Sequence, residues 1–136
     1  MAEIHLDHKH LIVNATVTNP LVDPEATKEF LRFLVASIGM KIKIGPFADY
    51  CEAEGNNGIT AAVCIETSHL SIHVWDKESP PYLKLDVYSC AQFDEQKVVQ
   101  IIKDTFQATE LDYMLLDRNK RTSVIATGFW KLPELE

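Results

Sequence analysis

Between residues 59 and 88 the chain alternates apolar and polar residues over three successive short segments, and this period of two restricts the fold more than any other feature. Ile59, Ala61, Val63 and Ile65 alternate with Thr60, Ala62, Cys64 and Glu66. Leu70, Ile72 and Val74 alternate with His69, Ser71, His73 and Trp75, and Leu83, Leu85 and Val87 with Lys84, Asp86, Tyr88 and Cys90. Successive strand residues point to opposite faces, so each segment reads as a strand with one apolar and one polar face. The apolar faces need a cover. Asp23 can cap a helix that Pro24 opens, whose Phe30, Leu31, Leu34, Val35 and Ile38 recur at helical spacing before Gly39. A second helix is expected from Asp94 to about Gln107, with Val98, Val99, Ile102 and Phe106 as its buried stripe.

Four more strands are expected: "HLIVNATV" at 10–17, a short one around Met40 to Ile44, Leu111 to Leu116, and Ser123 to Trp130. Residues 45–58, rich in Gly, Asn, Pro and acids, read as a polar loop. This order predicts an α+β fold, a two-layer α/β sandwich with a mainly antiparallel sheet and both helices on one face. No linker or repeat interrupts it, and 136 residues that are 46% apolar can bury one core, so one domain over residues 1–136 is expected.

A net charge of −7 argues against an electrostatic grip on nucleic acid or an anionic membrane and suits a small cationic ligand. No apolar run approaches the roughly 20 residues that span a bilayer, and a cytoplasmic location is expected. The three cysteines, Cys51, Cys64 and Cys90, lack CxxC spacing, so neither a disulfide framework nor a zinc knuckle is suggested. His5, His8 and His10 have no matching carboxylate or thiolate pattern; they read as a solvated segment, and no metal site is expected.

With the apolar faces on the helices, Thr60, His73 and Cys90 all project from the opposite face. Alone, each has an ordinary reading: a strand histidine on a solvated face, a small buried thiol, a good strand former. Their joint arrangement is more specific. The segments "GITAAVCIETSHLSIHVWD" and "LDVYSC" resemble the prokaryotic S-adenosylmethionine decarboxylases, small pyruvoyl enzymes of polyamine synthesis, and the likeness extends more loosely from "KHLIV" to the second helix.

The resemblance implies roles position by position. Ser68 matches the serine at which the family's proenzyme cuts itself, its hydroxyl attacking the preceding carbonyl so that the Thr67–Ser68 amide becomes an ester. Elimination then leaves a pyruvoyl group, the covalent cofactor, at the new N-terminus. His73 matches the histidine that removes the α-hydrogen in that elimination, Thr60 a hydroxyl residue assisting the acyl shift, and Cys90 the cysteine that returns a proton to the substrate carbon after CO2 leaves. A homodimer with sites near its interface is also implied.

The sequence departs from the family pattern at three places. Thr67 stands where the family usually has Glu, Asp76 and Lys77 follow the tryptophan in place of Pro-Glu, and "EAEGNN" occupies a loop where relatives carry aromatics. The glutamate of that Pro-Glu is implied to hold ribose hydroxyls and the aromatics to stack on adenine. The residues that bind substrate are therefore left open. Three readings remain at this point: a decarboxylase of S-adenosylmethionine, the same chemistry on ornithine or arginine, and an unprocessed relative that binds a ligand or a partner subunit.

Overall fold

The computed structural model describes residues 6–134. In chain order its elements are β1 (Lys9–Val17), α1 (Pro24–Ser37), β2 (Ile42–Cys51), β3 (Gly58–Ile65), β4 (Ser68–Trp75), β5 (Tyr82–Ser89), α2 (Glu95–Phe106), β6 (Ala108–Asp117) and β7 (Ser123–Lys131). Among the described residues the seven strands form one sheet in the order β2-β3-β4-β5-β1-β6-β7, and every neighbouring pair is antiparallel. The α+β sandwich expected from the alternation is the observed one.

Both helices lie on the face that carries Leu11, Val13, Ile59, Val63, Leu70, Ile72, Val74, Leu83, Leu85 and Val87, and these side chains form a continuous core with Leu31, Leu34, Val98, Ile102 and Phe106. The helices meet over it, Phe30 standing edge-on to Phe106 at 5.0 Å between ring centres. Burying each such aliphatic or aromatic side chain contributes about 1.5–3 kcal/mol, which fixes the strand register, since a one-residue slip would turn the whole set outward. The expected caps are present. Asp23 accepts from the Ala26 N–H, and Asp94 from the N–H groups of Gln96 and Lys97.

Two expectations are corrected. The expected loop at 45–58 is strand as far as Cys51, with β2 paired to β3 through Cys51↔Gly58. Gly45 and Pro46 looked like breakers, but β2 is an edge strand, and its register shifts between Ile42 and Phe47 take up both residues before alternation resumes. The solvated N-terminal segment is also partly ordered. His10 lies within β1 and His8 packs on Tyr88, their ring nitrogens bonded to Asp86 Oδ1 (2.9 Å) and Tyr88 Oη (2.6 Å); His5 lies outside the described residues.

The helices leave the other sheet face open. Phe47 and Ile44 sit there at one end of the sheet, opposite Ala62 and Cys64, and Met114, Val124 and Phe129 at the other, and all five are exposed.

Candidate active site

Antiparallel pairing sets the open-face residues in rows across the strands. One row runs Asp49↔Thr60↔His73↔Lys84↔Asn14↔Asp112. Thr60 Oγ1 lies 3.2 Å from His73 Nδ1, and farther along Lys84 Nζ donates to Asn14 Oδ1 (2.9 Å) while Asn14 Nδ2 donates to Asp112 Oδ1 (3.1 Å). His73 is stacked along the strand on Trp75, and Trp75 on Tyr82, with ring centres 5.8 and 4.9 Å apart. Trp75 Nε1 donates to Asn56 Oδ1 at 2.8 Å. Asn56, Gly58, Thr60, His73 and Trp75 line a cleft of about 310 Å³. Gly58 closes its floor where a side chain cannot fit, because an added Cβ would stand 1.8 Å from the Val74 carbonyl oxygen.

On the other side of Thr60 lies a more apolar hollow of about 270 Å³, bounded by Phe47, Ala48, Asp49 and Ala62, in which the Phe47 ring is 65% exposed. The acid after the tryptophan is engaged: Tyr50 Oη donates to both oxygens of Asp76, at 2.9 and 3.1 Å. Partial desolvation, then that hydrogen bond and the nearby negative charge, hold the Tyr50 phenol above its ordinary pKa.

The second group lies at the opposite end of β4. Glu66 and Thr67 form the turn from β3, and Ser68 opens β4 with φ of 141°, a region that residues carrying a Cβ rarely adopt and that costs on the order of 1–3 kcal/mol. Immediately before it, the Thr67 carbonyl accepts the Cys90 N–H at 2.8 Å. The Thr67 hydroxyl turns inward. It accepts from Ser89 Oγ (3.1 Å) and donates to Met40 Sδ (3.2 Å), while Ser89 Oγ accepts the Ala91 N–H (3.0 Å). Ser89 faces Ser68 across the β4–β5 ladder.

The four residues singled out in the sequence thus form two pairs. Thr60 and His73 touch each other, and Ser68 lies beside the backbone that carries Cys90. Ser68 and His73 are five steps apart on one extended strand, about 16 Å at a strand's rise per residue, so one chain does not bring them together. Between them the open face holds His69 stacked on Tyr88 (5.5 Å), with the Arg118 guanidinium 4.7 Å from the centre of the same ring.

Asn56, Tyr50, Phe47 and Ser89 were not singled out from the sequence. Phe47 comes to the site because β2 extends farther than its composition suggests, Asn56 reaches it from the loop before β3, and Tyr50, paired with Ile59, lies on the helix-covered face instead. Ser89 carried a readable signal, being a polar residue in the phase of Leu83, Leu85 and Val87.

Residues 9–119, a span that holds both pairs, match the sequence model of the S-adenosylmethionine decarboxylase family. The chain is 32% identical over 102 residues to the S-adenosylmethionine decarboxylase proenzyme of Pyrococcus horikoshii, covering 73% of this chain and 69% of that protein. It is 28% identical over 102 residues to the proenzyme of Pyrococcus furiosus, with the same coverage of each chain. Against that of Clostridium botulinum strain Langeland it is 27% identical over 111 residues, 78% of this chain and 90% of the relative. The matched span runs from β1 through β6 and takes in six of the seven strands, and the chain belongs to the S-adenosylmethionine decarboxylase family.

Proposed function

We propose that this chain is an S-adenosylmethionine decarboxylase that cuts its own backbone between Thr67 and Ser68 and works as a homodimer. The observation that carries the reading is the Thr67–Ser68 junction: a strained serine directly follows a carbonyl that already accepts a fixed backbone N–H. In the first step Ser68 Oγ bonds to the Thr67 carbonyl carbon, the C–N bond breaks, and the hydroxyl proton passes to the freed amine, leaving an ester. Negative charge develops on the Thr67 oxygen, where the Cys90 N–H is already placed to stabilise it. Cutting the bond also abolishes the torsion that is strained at Ser68, and relief of 1–3 kcal/mol favours the ester by roughly 5- to 150-fold.

In the second step a base takes the Ser68 α-hydrogen, the Cβ–O bond breaks, and Thr67 leaves as a carboxylate. Water then hydrolyses the resulting enamine through its imine, releasing ammonia and leaving a ketone at residue 68. The residues fit such a group, since Ser68 is half-buried at the end of β4 and the preceding carbonyl is held by the backbone of Cys90, a thiol-bearing residue. A pyruvoyl ketone at residue 68 would supply an electrophile for the substrate's amine and a sink for the electron pair released with CO2. Cys90 then returns a proton to the substrate carbon, and His73 is the base of the elimination.

His73 does this from a second protomer. A two-fold axis that sets two open faces together carries Thr60 and His73 of each chain over Ser68 and Cys90 of the other, and the same contact is made twice. The exposed apolar residues at both ends of this face, Ile44, Phe47, Met114, Val124 and Phe129, support such a cover, which also keeps water from the reacting groups.

For the substrate, the relatives' names agree with the hollow beside Thr60. Phe47 offers a flat apolar surface beside the Asp49 carboxylate; a free basic side chain would use the carboxylate alone, whereas an adenosyl group uses both, so the apolar surface is the feature that discriminates. The test is release of labelled CO2 from carboxyl-labelled S-adenosylmethionine, ornithine and arginine, offered separately to processed protein. Turnover of S-adenosylmethionine is expected. Turnover of ornithine or arginine alone would reassign the substrate.

A further inference from the structure

Ser89 is a nucleophile-type side chain that none of the steps above uses, yet it is 0% exposed and sits directly across the ladder from Ser68. Its hydroxyl accepts from one side and donates on the other: Ala91 N–H to Ser89 Oγ at 3.0 Å, then Ser89 Oγ to Thr67 Oγ1 at 3.1 Å. Thr67, 6% exposed, ends the relay on Met40 Sδ at 3.2 Å. The same short stretch of chain also holds residue 67 by its backbone, through the Cys90 N–H on the Thr67 carbonyl.

From this we infer that Ser89 and Thr67 form a clamp that positions the bond before Ser68 for self-cleavage, with Ser89 the positioning residue. The inference rests on the processing proposed above. Residue 67 is fixed at two points by residues 89 and 90, one through its side chain and one through its carbonyl. Two points define an orientation where one does not. With the carbonyl alone held, the Thr67–Ser68 peptide could swing about that hydrogen bond, and Ser68 could relax out of its strained torsion. The side-chain contact prevents this, so the attacking oxygen and the carbonyl carbon keep their relative placement. A family position usually occupied by an acid is here a buried hydroxyl, and its partner is the one polar residue in an otherwise apolar strand phase.

Thr67→Val keeps the shape of the side chain and removes the hydroxyl; Thr67→Ser keeps the hydroxyl; Ser89→Ala removes the other partner. Freshly made protein is followed over time by intact mass, with and without hydroxylamine, which cuts the ester and reports how much has accumulated. Thr67→Val and Ser89→Ala should each cleave about tenfold more slowly than the wild type, their double variant no slower than either alone, and Thr67→Ser near the wild-type rate. Because the clamp acts before the ester forms, hydroxylamine should release no excess fragment from the slow variants. Once cleaved, they should turn over substrate at the wild-type rate per pyruvoyl group, since residue 67 has by then left the bond. Wild-type cleavage with unchanged rates in Thr67→Val would overturn the clamp and leave self-processing standing, and so would slow cleavage with accumulated ester. A wild-type chain that never cleaves overturns both.

Discussion

If Ser68 and His73 act across the dimer, two variants that are dead alone should rescue each other. Ser68→Ala removes the oxygen that forms the ester, and His73→Ala removes the base of the elimination, so neither chain alone should yield the processed product. The separation sets the expectation. The two residues lie about 16 Å apart along β4, whereas proton transfer needs heavy atoms within about 3 Å. When the variants are co-expressed in equal amounts with different tags, random pairing puts about half of each chain into mixed dimers. In a mixed dimer the His73→Ala chain still has its Ser68 and faces an intact His73, whereas the Ser68→Ala chain has nothing to cut. About half of the His73→Ala chains should therefore cleave and none of the Ser68→Ala chains, giving about a quarter of the wild-type number of pyruvoyl sites. Intact mass read separately for each tag measures both fractions. Mixed dimers recovered by tandem affinity, with no cleavage of the His73→Ala chain, would refute the shared site; cleavage of that chain on its own would remove His73 from the step.

Other outcomes follow from single contacts. Cys90→Ala should still cleave, because the donor to the Thr67 carbonyl is the backbone N–H of residue 90 and survives the change, while steady-state CO2 release falls by roughly 10²-fold or more; normal turnover in the cleaved variant would refute the thiol's role. Gly58→Ala places a Cβ 1.8 Å from the Val74 oxygen, so β3 and β4 must part beside Thr60 and His73. Overpacking of this kind costs about 1–3 kcal/mol and backbone strain a similar amount, and a fall in the thermal midpoint of roughly 6–15 °C is expected by calorimetry. The Tyr50 phenol is raised by desolvation and by Asp76, so its contribution to stability is complete below the ordinary tyrosine pKa and is lost as pH rises through the higher folded value. Ultraviolet titration of Asp76→Asn should show one tyrosine ionising at lower pH than in the wild type.

The fold was legible because its signal is redundant. Three alternating segments, two capped amphipathic helices and their order along the chain leave few arrangements other than a one-sided antiparallel sheet. What the pattern could not supply was the length of β2. Gly45 and Pro46 are breakers in a central strand but not at an edge, where one side of the backbone has no ladder to complete, and the sequence does not announce which strand is at the edge. Reading β2 as ending near Ile44 hid Phe47 and Asp49 from the site. Parity correctly put Thr60 and His73 on one face, yet parity says nothing about distance along a strand. The separation of Ser68 from His73 appears only when the rise per residue is applied to a strand known to run unbroken from 68 to 75. Ser89 was legible in principle as a polar residue in an apolar phase, but without its partner Thr67 in view it reads as a tolerated defect.

The claim on which the rest depends is that the Thr67–Ser68 bond breaks by itself. Intact-mass spectrometry of purified wild-type protein, sampled from first elution through long incubation, tests it without any assumption about substrate or partner. The expected result is conversion into a chain of residues 1–67 and a second chain beginning at residue 68, whose N-terminus is blocked to sequencing and reacts with a ketone-specific reagent. Protein that stays at full length throughout, and from which hydroxylamine releases no fragment, would contradict it.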